Sequence, residues 1–166
     1  MSDYFGKEVF KLGFGLMRLP KNPDGSIDVE TTKVMVDKFI EAGGTYFDTA
    51  WVYDNGESEA AAREALVKRY PRERYTLATK LNAMAAPDHD EASAKQEFYT
   101  SLERTQAGYF DYYLLHAIME DNHHLYDEYH IWDFARELKE KGLVKHWGFS
   151  FHATPELLDE LLTKHP

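Results

Sequence analysis

The sequence predicts an α/β fold of the parallel (β/α) TIM-barrel type, incomplete, with about five of the eight strand–helix units a closed barrel needs. Three observations carry that prediction. Short apolar runs alternate with amphipathic helical stretches. The runs are continuous rather than alternating, as in strands covered on both faces. The last residues of the four clearest runs fall about 34 apart, close to a βαβ unit of roughly 30 or more residues.

Taken in order, residues 10–18 (FKLGFGLMR) supply the first strand, with residues 1–9 before it as a terminal cap. The next runs are 45–50 (TYFDTA), 74–80 (RYTLATK), 110–116 (FDYYLLH) and 144–151 (VKHWGFSF). Between them, residues 29–42 place Met35, Val36, Phe39 and Ile40 on one stripe and stop at Gly43 and Gly44, a helix C-terminal signal. Residues 58–68 are Ala-rich and halt before Pro71, and residues 92–106 carry Phe98 and Leu102 and end near Gly108. Residues 131–141 carry Trp132, Ala135 and Leu138 and end at Gly142. A last helix opens with Thr154 as N-cap and Pro155 in its first turn, and its Leu157, Leu158, Leu161 and Leu162 form an apolar stripe.

Right-handed crossovers turn such a series into a parallel sheet. A closed barrel takes about 250 residues, so a chain of 166 is expected to stop after the fifth unit. With no linker or low-complexity tract, residues 1–166 are expected to form a single domain. An open doubly wound sheet is the alternative, and it would want a phosphate loop after the first strand. Gly13, Phe14 and Gly15 give only GxG, and Arg18 stands where the third glycine would be.

Composition narrows the function classes. Hydrophobic residues make up 43% of the chain, enough for a core. Asp and Glu number 29 against 19 Lys and Arg, and the net charge of -10 argues against nucleic acid and anionic membranes as partners. The absence of cysteine removes disulfides, thiolate metal sites and cysteine nucleophiles. No stretch approaches the ~18 apolar residues of a membrane span, and residues 1–9 lack a signal-peptide core, so the expected location is the cytoplasm.

In a parallel barrel, reactive groups sit at the C-terminal ends of strands. The apolar runs deliver Asp48, Lys80, His116 and Ser150 at or near those ends, and Tyr53 follows Asp48 by five residues. Alone, each has an ordinary explanation: a turn cap, a packed tyrosine, a strand exit to solvent, a core histidine. Together they make coherent chemistry. A free phenol, with a pKa of about 10, is a poor acid at neutral pH. A neighbouring ammonium favours the phenolate, a carboxylate fixes the ammonium, and an imidazole can donate to a substrate oxygen. A carbonyl receiving hydride needs such a proton donor beside an oxyanion-binding corner.

These residues also carry a family resemblance. The stretch 47–59 (FDTAWVYDNGESE) is similar to the aldo-keto reductase signature, and Ala78, Thr79 and Lys80 resemble that family's third-strand lysine motif. Leu114, Leu115 and His116 resemble its fourth-strand histidine motif, residues 147–150 (WGFS) its fifth-strand motif, and residues 12–19 (LGFGLMRL) its opening strand. The resemblance implies a reductase of aldehydes or ketones using NADPH, with NADH possible. It implies Tyr53 as general acid, Lys80 as its electrostatic partner, Asp48 as the anchor of the lysine and His116 as the group orienting the carbonyl. On the cofactor side it implies Gly15, Leu16, Met17, Asp48 and Ser150.

Phe151 and His152 after the serine resemble a bacterial branch that often carries a C-terminal iron–sulfur domain. In the family the phosphates and adenosine are held mainly after the seventh and eighth strands, so that part of the cofactor site is expected to be missing from this chain. A small carbonyl compound is the implied substrate, and self-association through the open edges of the sheet is expected. Two other readings stand beside it. One is a non-catalytic half-barrel acting as a binding or structural module. The other is a metal-dependent hydrolase using Asp48 and His116, which gives Tyr53 and Lys80 no task. The acidic and histidine clusters at 120–124 and 88–90, and His130, read as loop residues rather than metal ligands. Residues 117–130 read as a long substrate-contacting loop with Tyr126 and Tyr129 packed, Trp51 as a residue at the edge of the pocket, and 139–141 as a solvated helix face.

Overall fold

The structure is a computed structural model describing residues 10–165; the cap expected at residues 1–9 lies outside them. The elements are β1 (Phe14–Gly15), α1 (Val29–Glu41), β2 (Tyr46–Asp48), α2 (Glu57–Ala62), β3 (Thr76–Leu81) and α3 (Glu91–Thr105). They continue as β4 (Phe110–Ile118), α4 (His123–Glu128), α5 (Ile131–Glu140), β5 (Val144–Phe151) and α6 (Pro155–Lys164). The five strands form one sheet in chain order, every neighbouring pair parallel. β1 and β5 stand at its edges.

The helices start where side chains satisfy free backbone N–H groups. Asp28 accepts from the Thr31 N–H at the head of α1, Asp90 from Ser93 at α3, and Thr154 from Leu157 at α6. Gly43, at φ +91°, takes the left-handed turn beyond α1.

The register puts alternate residues on two faces. Phe47, Leu77, Tyr113 and Leu115 point to the helices and are buried. The Phe98 ring of α3 meets Tyr113 edge-on at 5.1 Å, and Trp132 of α5 meets Phe149 at 5.8 Å. The opposite face carries the row Asp48, Ala78, Tyr112, His146 and, one step up, Lys80, Leu114, Gly148, because these positions are paired across the strands. Its residues on β4 and β5 are mostly half-buried.

Several expectations are corrected. The first strand pairs over only two residues, Phe14 and Gly15. On α1 the buried stripe is Thr32, Val36 and Ile40, while Met35 is 38% exposed, since a period of 3.6 carries it off that face. The second helix is α-helical only to Ala62 and widens into a π turn over Arg63–Val67. The loop expected at 117–130 contains α4. On α6 only Leu157 and Leu161 are buried. Leu162 lines a cavity of about 270 Å3 beside β5 instead.

Candidate active site

Four elements deliver side chains to one place. Asp48 ends β2, Lys80 lies in the last turn of the pleat of β3, and His116 lies near the end of β4. Tyr53 opens the turn Tyr53–Gly56 that follows β2. Strand pairing continues past Asp48, because the Thr49 N–H donates to the Ala78 carbonyl at 2.9 Å and the Trp51 N–H to the Lys80 carbonyl at 3.3 Å. That continuation holds the start of the turn against β3.

Lys80 is the centre. Its ammonium is nearly buried and donates to Asp48 Oδ1 at 2.6 Å, to the Thr49 carbonyl at 2.8 Å and to the Tyr53 hydroxyl at 3.2 Å. The same ammonium sits 4.7 Å from the Tyr53 ring centroid. His116 meets that ring edge-on at 5.6 Å. Burial, then the Lys80 cation and then His152 push the imidazole down to about 4, so His116 is neutral at physiological pH. The other Asp48 oxygen accepts a long hydrogen bond from Tyr46 at 3.4 Å. The structure therefore brings Asp48, Tyr53, Lys80 and His116 together, with three donor bonds fixing the ammonium and a neutral ring beside the phenol.

Ser150 lies next to the end of β5, and its hydroxyl oxygen accepts from the Ala117 N–H at 2.7 Å. Ala117 follows His116 directly and has a left-handed backbone, φ 52°, where the β4–β5 register shifts. Such a bulge re-aims the neighbouring side chain. Two further residues brace it. Asn122, almost fully buried, donates to the Ala117 carbonyl at 2.9 Å, and Tyr126 donates to the His116 carbonyl. Neither role is visible in sequence, where Tyr126 reads only as packing.

The opening strand contributes unevenly. Leu16 is fully buried and works through its backbone: its N–H donates to the Asp48 carbonyl at 2.8 Å and its carbonyl accepts from the Ser58 hydroxyl at 2.9 Å. Gly15 and Met17 on either side are exposed. Trp51 lines a cavity of about 360 Å3 together with Pro87, Asp88, Ala92 and Glu97, a lining that includes none of the four converging groups.

The residues missed in sequence are those under the site. Ser58 bridges Leu16 and Thr49, the latter at 2.7 Å. Fully buried Glu59 accepts from the Thr79 hydroxyl at 2.6 Å, beside Lys80 in the chain. Burial raises the Glu59 carboxyl, and it raises that of Glu97 on α3 to about 8. The one available signal was the Ser–Glu pair just before the run Ala60–Ala62 in the first turn of α2. At the clusters read as loop residues, His130 bonds Glu91 at 2.9 Å and Glu120 accepts from the Thr154 N–H at 2.8 Å. Among the described residues no group of His, Asp or Glu is placed to hold a metal ion, and no helix is long and apolar enough to cross a membrane.

Comparison with known proteins places the chain. The profile of the Aldo/keto reductase family matches residues 11–166. The uncharacterized oxidoreductase YqkF of Bacillus subtilis is 29% identical over 165 residues, covering 95% of this chain and 49% of that protein. The solved aldo-keto reductase AKR11C1 from Bacillus halodurans, in its holo form, is 30% identical with a TM-score of 0.73 over 93% of this chain and 50% of that one. An aldo-keto reductase from Klebsiella pneumoniae, in complex with NADPH, has the same fold at 24% identity, with a TM-score of 0.74 over 93% of this chain and 50% of its own. The chain spans about half the length of the curated relatives it matches. Its five parallel strands thus correspond to about half of a (β/α) barrel, and the doubly wound alternative is set aside.

Proposed function

The chain belongs to the aldo/keto reductase family, and on that premise we propose that its rim groups reduce a small aldehyde or ketone with a nicotinamide dinucleotide, NADPH before NADH. The observation that carries the reading is the Lys80 ammonium, bonded at once to Asp48, to the Thr49 carbonyl and to the Tyr53 hydroxyl.

Tyr53 is the proton donor in this reading. As negative charge builds on the carbonyl oxygen, the Tyr53 O–H transfers its proton there. The buried cation of Lys80 stabilises the phenolate left behind, and Asp48 keeps that cation from swinging away. His116, neutral because it is buried beside Lys80, donates a second hydrogen bond to the same oxygen without adding a charge to the site.

The residues present fit the nicotinamide end of the cofactor. The Ser150 oxygen is already an acceptor for Ala117, which leaves its proton to donate to a carboxamide. Gly15 is exposed, with nothing within 4 Å of where a side chain would begin, so a flat ring can approach the backbone there. Met17 is exposed beside it and Leu16 anchors the loop from below. The bound cofactor supplies the hydride. The adenosine and phosphate end would be held by segments outside these residues. The Phe151 and His152 pair supports placing the protein in the branch that often carries an iron–sulfur domain.

The test is NADPH oxidation by the complete gene product with a panel of aldehydes and quinones. Turnover is expected, and Tyr53→Phe is expected to reduce it by roughly 10²- to 10⁴-fold, the usual worth of a positioned acid. Full activity in Tyr53→Phe would overturn the assignment of the acid.

A further inference from the structure

We propose that Arg104 is a positioning residue for the Tyr53 hydroxyl, gripping both flanks of the turn that carries it. The kinetic part of this inference rests on Tyr53 being the proton donor; the grip itself does not.

The turn is held in place from outside as well as by its own backbone bonds. Asp54 and Asn55 have left-handed backbones, φ 50° and 54°, and Gly56 follows at φ 88°. Asp and Asn are the side-chain-bearing residues that tolerate this conformation best and Gly adopts it freely, so the backbone is locally allowed, and what the surroundings fix is where the turn sits. One contact is external: Lys21 pairs with Asp54 at 2.7 Å. The other comes from beneath. Arg104, in the last turn of α3, reaches across 53 residues of sequence and donates from Nη1 to the Trp51 carbonyl at 3.2 Å. The same nitrogen donates to Glu59 Oε2 at 3.3 Å, and the guanidinium lies 5.1 Å from the Trp51 ring.

Trp51 precedes Tyr53 by two residues and Glu59 lies in the first turn of α2 beyond it, so one planar cation ties the entry of the turn to its exit. The middle of the turn rests on it too. A methyl placed on Gly56 would fall 2.7 Å from the Arg104 Cζ, so the backbone there lies directly against the guanidinium. Glu59 is in turn held by Thr79, whose neighbour Lys80 bonds the Tyr53 hydroxyl. Arg104 thus connects the turn to the strand that carries the lysine. It is half-buried away from the reacting groups and bonds none of Asp48, Lys80 or His116 among the described residues.

The experiment is carbon NMR of the complete gene product labelled at the tyrosine Cζ. The signals of Tyr53 and of Tyr109 on the far rim are assigned from Tyr53→Phe and Tyr109→Phe. In Arg104→Met the Tyr53 signal is expected to move or broaden while the Tyr109 signal stays in place. In Arg104→Lys, which keeps the charge and loses the fork, a smaller change in the same direction is expected, and this variant carries the test if Arg104→Met does not fold. The kcat for carbonyl reduction should fall about tenfold or more in Arg104→Met with little change in KM, since small misplacements of a catalytic group are costly. An unmoved Tyr53 signal in the folded variants would overturn the proposal, as would all tyrosine signals shifting together, the mark of general loosening. If Tyr53→Phe keeps full activity, the reductase reading fails, and the tyrosine signals still decide whether Arg104 grips the turn.

Discussion

Both ends of the sheet hold a lysine bonded to an aspartate and to a tyrosine, and the two sets differ in which member is buried. At the C-terminal rim, Lys80 lies 2.6 Å from Asp48 and 3.2 Å from the Tyr53 hydroxyl. At the N-terminal rim, Lys145 lies 2.9 Å from Asp111 and 3.2 Å from the Tyr109 hydroxyl. In the upper set the lysine side chain is 6% exposed and the carboxylate 28%; in the lower set the lysine is 52% exposed and the carboxylate 5%. Asp111 also accepts from Arg72 at 2.6 Å and from the Leu77 N–H at 2.9 Å. Its charge is answered from every side, and the Tyr109 ring lies 3.9 Å from the Arg72 guanidinium. Buried acid with wet base is a rivet. Buried base beside a phenol and a neutral imidazole is, in the function proposed above, a proton source. The same three residue types serve either purpose, and burial decides which.

The largest expected effect comes from removing the two ammonium groups one at a time. Lys80→Met should lower carbonyl reduction by roughly a thousandfold, whereas Lys145→Met should leave it within about twofold, as measured by NADPH oxidation in the complete gene product. Equal losses would erase the distinction between the rims. Next in size, Asp111→Asn should destabilise the fold by about 3 kcal/mol in denaturant titration, because it leaves Arg72 partly buried without its counter-charge. The folded protein should still turn over.

The pH dependence of stability separates the rim from its support. His116 is held down to about 4 from 6.5, so between those values the unfolded chain binds more protons and stability falls as pH is lowered. His116→Gln should flatten that slope. Glu97 is held up to about 8 from 4.5, so its contribution has the opposite sign and is lost as pH rises through that range. Glu97→Gln should flatten the stability curve there. Denaturant melts across pH read both. The smallest effect is that of Lys145→Ala on stability, expected to be under about 1 kcal/mol because the ammonium is half in water.

Much of this was legible in the sequence. The apolar runs at 45–50, 110–116 and 144–151 become β2, β4 and β5, since a strand buried on both sides needs continuous apolar residues, and the glycine and Thr–Pro signals bound the helices. Of the residues that converge, Asp48, Lys80 and His116 could be read because they fall at or near strand ends, and Tyr53 because it follows Asp48 by five. What remained hidden depends on partners distant in the chain. The left-handed backbone at Ala117 goes with the β4–β5 register shift and the bonds that the backbone of His116 and Ala117 makes to Ser150, Asn122 and Tyr126. Arg104 acts on a carbonyl 53 positions away. Met35 and Leu162 are apolar by type and exposed by geometry, which a repeat of hydrophobic letters does not distinguish.

The most direct measurement is kcat/KM for one carbonyl substrate in two conservative variants made side by side, each deleting a single phenolic oxygen. Tyr53→Phe should lose at least about a hundredfold and Tyr109→Phe should stay near the parent protein. Activity preserved in the first, or an equal loss in both, would contradict the assignment of proton transfer to the upper rim.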